Sequence, residues 1–418
     1  MESALNAFLK ACFASTKEEA LALWDATIRP LLTEEHQNVA HPDYSVTADQ
    51  RWWLWCERFK EEAQGEQALQ RLLLSSRLSW EASQSLQRKA LGYVLPLPTV
   101  RTVVFKPAAG RGYVASSPFV LPNPKGGILV NVRHVNYQFT PDNNYPLLPE
   151  YVASAPTHLK NRVRTVNVIH TCADDLTIES TTVLKDHTTF MKWPSPVLDL
   201  EDLRLVALPS GRLLGLAASR EIVVSTLPQP VLVTVDLENT ECKGGVWLRA
   251  HTPDLERVTQ KNWLPFWCAR TKKVLVFYSY GPEAIIYEVE PTTGMCSVFR
   301  KWTTGTAMHA VRGGAPLVEW ENGMYLSVVH TSLQDPGVRR KYFHRFVLHA
   351  SDYQPIAMSQ QWNFSGDAYD AEFVISCMRS ASGSYYVGYG QNDGVSNVAE
   401  VAADTIKNLW WYKVRVES

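Results

Sequence analysis

Short runs of β-branched and aromatic residues, each bounded by Gly, Pro, Asn or Asp, follow one another from Val100 to the C-terminus. Residues 128–132, 274–278, 325–329 and 385–389 are examples. Strands at this density, with few helical stretches between them, are typical of an all-β sandwich, barrel or propeller. The region is too long for one sandwich, which leaves the larger β architectures.

Polar residues inside these apolar runs recur at a spacing that favours a propeller. Five such markers, spaced 51 to 69 residues apart, are Arg133, Asp202, Asn262, Gly313 and Glu372. Innermost propeller strands line a central channel, where polar side chains face solvent or ligand. We therefore predict a mainly β fold, a five-bladed β-propeller over residues 96–418, with one marker on the innermost strand of each blade.

The first 95 residues have a different pattern. Two capping boxes, Ser15 to Glu18 and Thr47 to Gln50, precede apolar residues at helical spacing. Residues 1–95 are thus predicted to form a small all-α N-terminal domain. It would either cap the propeller or bind a protein partner through its apolar stripe.

Composition excludes several classes of protein. The 41 basic and 42 acidic side chains give a net charge of −1, so we expect no nucleic-acid partner. No apolar run is long enough for a membrane span, and no basic leader precedes an apolar segment, which predicts a cytoplasmic protein. The seven cysteines are scattered, which is typical of reduced buried thiols.

Motifs for nucleotide-binding loops, serine hydrolases and zinc proteases are missing from the sequence, and so is a DxD metal motif. We therefore expect neither a cofactor nor a metal.

The segment from Asp199 to Leu205 carries the strongest chemical signal. Two adjacent carboxylates, Glu201 and Asp202, precede Arg204 within an apolar strand, where charges are unfavourable unless they are paired or used. Strand alternation would place Asp202 and Arg204 on one face and Glu201 on the other. Such a face could bind hydroxyls and move a proton; the alternative is a structural ion pair.

This segment resembles the Glu-Asp-Pro-Arg strand of five-bladed propeller mannoside phosphorylases and their mannosyltransferase relatives, with Leu203 in place of the proline. Other segments resemble bacterial and viral glycosyltransferase-like proteins with the same propeller. They are residues 131–137, 261–266, 312–317, 342–346, 371–373 and 390–393. The similar region spans residues 100–410 and excludes the N-terminal part.

The resemblance implies glycosyl transfer on a saccharide substrate in a central funnel, with Asp202 as the general acid acting through a sugar hydroxyl. No matching motif locates a second carboxylate. Glu372, on the predicted innermost strand of the last blade, is our candidate for an orienting or basic role. Two carboxylates across a funnel would suit an inverting displacement.

Four cations are candidates for binding phosphate or the diphosphate of a nucleotide sugar: Arg133, Lys261, Arg312 and Arg345. Gly313 and Gly314 would add exposed main-chain N–H groups for the same anion. The alternative for each cation is a salt bridge between blades.

The other candidates for substrate binding are polar or aromatic. Tyr137, Trp263 and Trp320 could stack on a sugar or belong to the core, and His309, His330 and His344 are most simply structural. The Asn392-Asp393-Gly394 sequence suits either a type I′ turn or a contact in the funnel. Glu201, Arg204 and Asn262 would hold sugar hydroxyls, and the further candidates for substrate binding are Asn136, His344, Asn392 and Asp393.

Together these features predict a carbohydrate-active enzyme of the glycosyltransferase, glycoside phosphorylase or hydrolase type. A non-catalytic sugar-binding or scaffolding propeller is the alternative, since a propeller alone does not determine function.

Overall fold

A computed structural model describes residues 95–417, apart from residues 141, 143, 191, 251–257, 306–307, 309–310, 334–339, 366–370, 410 and 415. The predicted helical domain, Cys12, Cys56 and His309 lie outside the described residues. Over the described part of the chain, no helix is long and apolar enough to cross a membrane.

Two strands precede the first blade, β1 (Leu95–Pro96) and β2 (Arg101–Phe105). Blade 1 contains β3 (Val114–Pro122), β4 (Ile128–Val135), helix α1 (Pro149–Ser154), β5 (Val163–Cys172) and β6 (Ile178–Val183). Blade 2 contains β7 (Lys185–Thr188), β9 (Glu201–Ala207), β10 (Leu213–Ser219), β11 (Gln229–Asp236) and β12 (Glu241–Trp247), while β8 (Val197–Leu198) pairs with β5. Blade 3 contains β13 (Arg249–Ala250), β14 (Leu264–Cys268), β15 (Lys273–Ser279), β16 (Glu283–Val289) and β17 (Met295–Thr304).

Blade 4 contains β18 (Arg312–Glu319), β19 (Tyr325–Leu333), β20 (Lys341–His349), β21 (Pro355–Ser359) and β22 (Trp362–Asn363). Blade 5 contains β23 (Glu372–Arg379), β24 (Tyr385–Gln391) and β25 (Val395–Val401). Helix α2 (Ala403–Lys407), β26 (Trp411–Lys413) and β27 (Val416–Glu417) follow. These five sheets form the predicted five-bladed propeller.

The ring is closed by strands from both ends of the described chain. The innermost strands β3, β9, β14, β18 and β23 contact one another in a circle. Strand β2 completes blade 5 by pairing antiparallel with β25, from Arg101 opposite Glu400 to Phe105 opposite Ser396. At the other end, β26 pairs with β21 and β27 with β17. Main-chain hydrogen bonds therefore tie the strand that precedes blade 1 into blade 5, and the segment that follows blade 5 into blades 4 and 3.

The blades pack face to face, which explains the continuous apolar runs in the sequence. In β15, Leu275 and Phe277 face a core shared with blade 4, whereas Val274 and Val276 face one shared with blade 2. Because both faces of β15 are buried, polar and apolar residues do not alternate along this strand. The five described cysteines are likewise buried and unpaired, as predicted.

The marker residues fall mostly where predicted. Asp202, Gly313 and Glu372 lie on the innermost strands β9, β18 and β23, and Asn262 lies two residues before β14. The prediction for Arg133 is wrong, because this residue lies on β4, the second strand of blade 1. Inner strand β3 contains an extra residue opposite β4, between Ala115 and Pro118. A bulge of this kind displaces the strand locally.

Buried histidines make the stability of the fold sensitive to pH. His349 donates through Nδ1 to the carbonyl of Tyr353 (3.0 Å) and accepts through Nε2 from the hydroxyl of Ser327 (2.9 Å). Nε2 can accept this hydrogen bond only while the ring is neutral. Burial lowers the pKa of His170, His344 and His349 to about 4 each.

We predict that the free energy of unfolding falls between pH 7 and pH 5, by roughly 1–2 kcal/mol per histidine. Between these values the unfolded chain takes up protons near its ordinary pKa of about 6.5, which the folded rings resist. Urea denaturation at both pH values measures the difference. His349→Gln should reduce it, whereas His158→Gln, at an exposed position, should leave it unchanged. An unaltered difference in His349→Gln would contradict the assignment.

Candidate functional site

An open cavity of about 490 Å³ lies at the centre of the ring and is lined by residues from all five blades. We call it the axial cavity. Its polar lining includes Ser117, Arg133, Glu201, Asp202, Arg220, Thr259, Lys261, Asn262, Arg312, His330, Ser332, Arg340 and Asp393. Its aromatic lining consists of Tyr137, Phe139, Tyr145, Tyr342 and Phe373. Its size is that of a small-molecule site.

The structure brings eight of the predicted site residues to this cavity: Arg133, Tyr137, Glu201, Asp202, Lys261, Asn262, Arg312 and Asp393. Nine others lie away from its lining: Asn136, Arg204, Trp263, Gly313, Gly314, His344, Arg345, Glu372 and Asn392.

The two adjacent carboxylates reach the cavity together, contrary to the prediction from strand alternation. Asp202 has a left-handed backbone conformation (φ 51°), and β9 carries one extra residue against β10 between Glu201 and Arg204. This bulge breaks the two-residue alternation. Glu201 and Asp202 therefore both line the axial cavity, while Arg204 points elsewhere.

Arg133 joins the two carboxylates. Its Nη1 donates to Oδ1 of Asp202 at 2.9 Å, and its Nη2 lies 4.0 Å from Glu201. Arg220 approaches the other oxygen of Glu201 at 3.2 Å. Charges therefore alternate along Arg220, Glu201, Arg133 and Asp202, and each buried carboxylate has a cation beside it, as burial requires.

These cations determine the protonation state of Asp202. Burial raises the pKa of its carboxyl group, but the charges of Arg133, Lys261 and Arg204 outweigh burial, so that the pKa lies below its ordinary value. Asp202 is thus ionised at neutral pH in the free protein and can accept a proton.

Arg204 reaches across the ring axis instead of lining the cavity. Its Nη1 donates to the main-chain carbonyls of Gly314 in blade 4 and Ile375 in blade 5 (2.9 Å for Ile375). Gly314 and Ile375 are themselves the extra residues of bulges in β18 and β23. The predicted role of Arg204 in holding sugar hydroxyls is replaced by this contact among three blades.

Glu372 makes local main-chain contacts. Its two carboxylate oxygens accept the N–H groups of Phe364 (2.6 Å) and Ser365 (2.7 Å), and its side chain is almost fully buried. His344 binds the carbonyl of the same residue through Nε2, at 3.0 Å. Neither side chain is part of the cavity lining.

Of the four predicted anion-binding cations, three line the cavity. Lys261 and Arg312 are exposed there, and Arg133 is buried. Arg345 is buried within blade 4, where it donates to the carbonyl of Ser359 at 3.2 Å. Arg345 follows His344 on β20, so the side chains of these two residues lie on opposite faces of the strand.

The two glycines were expected to offer exposed N–H groups to an anion, but both are buried. A Cβ on Gly313 would meet the carbonyl of Asn262 at 2.5 Å, and one on Gly314 would meet that of Val328 at 2.9 Å. Their small size allows neighbouring inner strands to approach closely.

The predicted tryptophans belong to the core. Trp263 contacts Tyr278 and Tyr287 between blades 2 and 3, and Trp320 stacks on Tyr385. Only Tyr137 of the predicted platform reaches the axial cavity, where its hydroxyl donates to Asp393 at 3.1 Å.

The asparagines have separate roles. Asn136 accepts the N–H of Arg164 and donates to the carbonyl of Arg162. Asn262 lines the cavity with a left-handed backbone (φ 66°), and its Oδ1 is buried without a hydrogen-bond partner among the described residues. Asn392 and Asp393 both have positive φ, as a type I′ turn requires, and Asp393 also contacts the cavity. The segment therefore forms the predicted turn, and Asp393 alone of its residues lines the cavity.

Sequence reasoning missed Arg220, Arg340, His330 and four aromatic residues as lining of the cavity. His330 is buried, its ring lies against Tyr342 and Phe373, and no residue in the described part of the chain is a hydrogen-bond partner for its Nδ1. Arg340 follows another arginine and precedes Lys341, and this basic run could have indicated an anion site. The aromatic residues gave no such signal, because core and cavity rings look alike in a β-rich sequence.

Neither protein-family models nor curated proteins match the sequence. Solved structures with a similar fold include a glycosyl hydrolase from Bacteroides ovatus, with 12% identity and a TM-score of 0.42 over 70% of this chain and 84% of that one. MPT-4, a mannose phosphorylase from Leishmania mexicana in complex with phosphate ion, has 12% identity and a TM-score of 0.43 over 74% and 90% of the chains. MPT-1, a GDP-Man-dependent mannosyltransferase from Leishmania mexicana, has 10% identity and a TM-score of 0.43 over 76% and 93%.

We predict that Arg133→Met lowers the free energy of unfolding by about 3–5 kcal/mol, because it leaves the Asp202 carboxylate in a buried site without its closest cation. Arg133→Met/Asp202→Asn should recover part of this loss, since the amide carries no charge and asparagine tolerates the left-handed backbone. Urea denaturation of the two single variants and the double variant measures the coupling. Simple additivity of the two changes would show that the pair contributes nothing.

Proposed function

We propose that this chain is a carbohydrate-active enzyme that transfers a glycosyl group within the axial cavity, with Asp202 as the proton-transfer residue. The observation that carries the proposal is an ionised carboxylate on the wall of an open cavity, beside Arg133 and in the field of Lys261. Carboxylates in this state suit proton transfer, and cations beside them suit an anionic reactant.

The surroundings of Asp202 fit a sugar. Glu201 and Asn262 flank it on the same wall, and both have oxygen atoms able to accept hydrogen bonds from hydroxyl groups. The unpartnered, buried Oδ1 of Asn262 in particular favours a hydroxyl donor. Aromatic rings line the same cavity and can cover the apolar face of a pyranose.

The anion would bind at the exposed part of the axial cavity lining, which includes Lys261 and Arg312. We call this exposed part the mouth. We assign to Lys261 and Arg312 the phosphate or the diphosphate of an activated sugar, with Arg133 holding Asp202 in place. Glu372 has no part in the proposed step, because its oxygens already accept two main-chain N–H groups.

In the proposed reaction, the bond between the anomeric carbon and its leaving oxygen breaks while a nucleophilic oxygen bonds to that carbon. Asp202 then has one of two tasks. It either takes the proton of an attacking hydroxyl or gives a proton to the leaving oxygen through a sugar hydroxyl. The second task requires a protonated Asp202. A bound anion favours that form, because it offsets the neighbouring cations and so raises the pKa of the carboxyl group.

Three assays would detect this activity: phosphorolysis of mannobiose, hydrolysis of mannobiose, and transfer from nucleotide sugars to mannose. In whichever assay the protein forms product, Asp202→Asn should lower kcat at least about a hundredfold, because the amide cannot accept or donate the proton that the reaction transfers. Asp404→Asn is the matched control, since this carboxylate is exposed on α2.

A loss of less than about tenfold in Asp202→Asn, about 1.4 kcal/mol, would contradict the assignment. Saccharide binding without turnover in all three assays would favour a non-catalytic sugar-binding propeller.

A further inference from the structure

Tyr145 presents an aromatic face at the axial cavity that the proposed proton transfer does not use. Its side chain is 47% exposed although it lines the cavity. The ring stacks on Phe139 with centroids 5.1 Å apart and planes at 21°, and Tyr137 meets its edge at 5.2 Å. Phe139 and Tyr137 are themselves buried. One face of Tyr145 is therefore supported from behind while the ring remains accessible.

The backbone around Tyr145 is held in place as well. Its segment folds back on blade 1, with the N–H of Gln138 donating to the carbonyl of Pro146 at 3.0 Å. Tyr137 and Leu147 form an isolated antiparallel bridge at the base. A ring fixed in this way loses little conformational freedom when a planar ligand stacks on it.

Positive charge lies beside this ring. Lys261 and Arg340 line the same cavity. Burial and the nearby Asp393 raise the pKa of the Tyr145 phenol, whereas Arg340 and Lys261 lower it, so both cations act on the ring. A planar group on Tyr145 would thus share the axial cavity with two cations that can bind an anionic substituent.

We propose that the donor is a nucleoside diphosphate sugar whose base stacks on Tyr145 and whose diphosphate lies on the cavity cations Lys261, Arg312 and Arg340. This inference rests on the proposed function and adds to it the identity of the donor. Free phosphate would have no use for the ring, whereas a planar base would cover it and leave an attached diphosphate among the cations of the cavity. Aromatic stacking with bases is worth about 1–3 kcal/mol and tolerates different bases.

This donor agrees with the chemistry of Asp202. The bond between the anomeric carbon and the diphosphate oxygen breaks, and its electron pair leaves with the diphosphate, which needs no proton because the cations stabilise its charge. An acceptor hydroxyl bonds to the anomeric carbon, and its proton passes to Asp202. An ionised carboxylate in the free site suits this basic role.

Calorimetric titration of the full-length protein with GDP, UDP, inorganic diphosphate and phosphate tests the inference. The two nucleoside diphosphates should bind about tenfold or more tightly than inorganic diphosphate, as expected from stacking of the base. Tyr145→Ala should abolish this difference and leave the affinity for inorganic diphosphate unchanged. Tyr145→Phe, the matched control, should retain it.

Equal affinity of the wild-type protein for inorganic diphosphate and nucleoside diphosphates would overturn the inference. So would a loss of nucleoside diphosphate binding in Tyr145→Phe equal to that in Tyr145→Ala. Either result would leave the role of Asp202 intact, because the Asp202→Asn comparison does not depend on the base. Melting temperatures of the ligand-free variants check that both are folded.

Discussion

The guanidinium group of Arg204 lies in the middle of the ring and links blades that are not neighbours. It extends from blade 2 to carbonyl groups in blades 4 and 5, and both carbonyls belong to bulge residues, Gly314 and Ile375. A charge buried this deeply needs acceptors and a counter-charge near it. Among the described residues, Nη1 of Arg204 has two acceptors and Nη2 has none. Asp202 supplies that counter-charge. The contacts that close the centre of the ring therefore also require the carboxylate to which we assign the chemistry.

Backbone irregularity and charge occur together around the axial cavity. Asp202, Asn262 and Asp393 all have left-handed backbone conformations, and all three line the cavity. Such conformations are unfavourable for residues other than glycine and persist where the surrounding structure enforces them. Here the rigid sheets of three different blades hold them in place. The polar groups are thus preorganised, and a ligand does not have to order them on binding.

The two proposals divide the axial cavity into two parts. The wall with Arg133, Glu201 and Asp202 is an alternating charge network with little exposure, suited to proton transfer at a defined position. The mouth with Tyr145, Lys261 and Arg340 is more accessible and combines an aromatic face with positive charge. The proposed nucleoside diphosphate sugar has a sugar at one end and a planar base with an anionic diphosphate at the other, so it matches both parts of the cavity.

The sequence by itself determined the β architecture, the five-blade repeat and about half of the polar residues that line the cavity. These follow from local patterns: strand-forming runs, turn residues, and charges such as Glu201 and Asp202 that are unfavourable in an apolar strand unless used. Tertiary structure alone decided which face each of these side chains takes. Single-residue bulges reverse the alternation on which sequence reasoning depends. They send Arg204 to the axis and both carboxylates to the cavity. Main-chain N–H groups of a neighbouring turn bind Glu372, packing between blades 2 and 3 buries Trp263, and the fold places Tyr145 at the cavity. The hydrophobic and polar pattern of the sequence records none of these contacts.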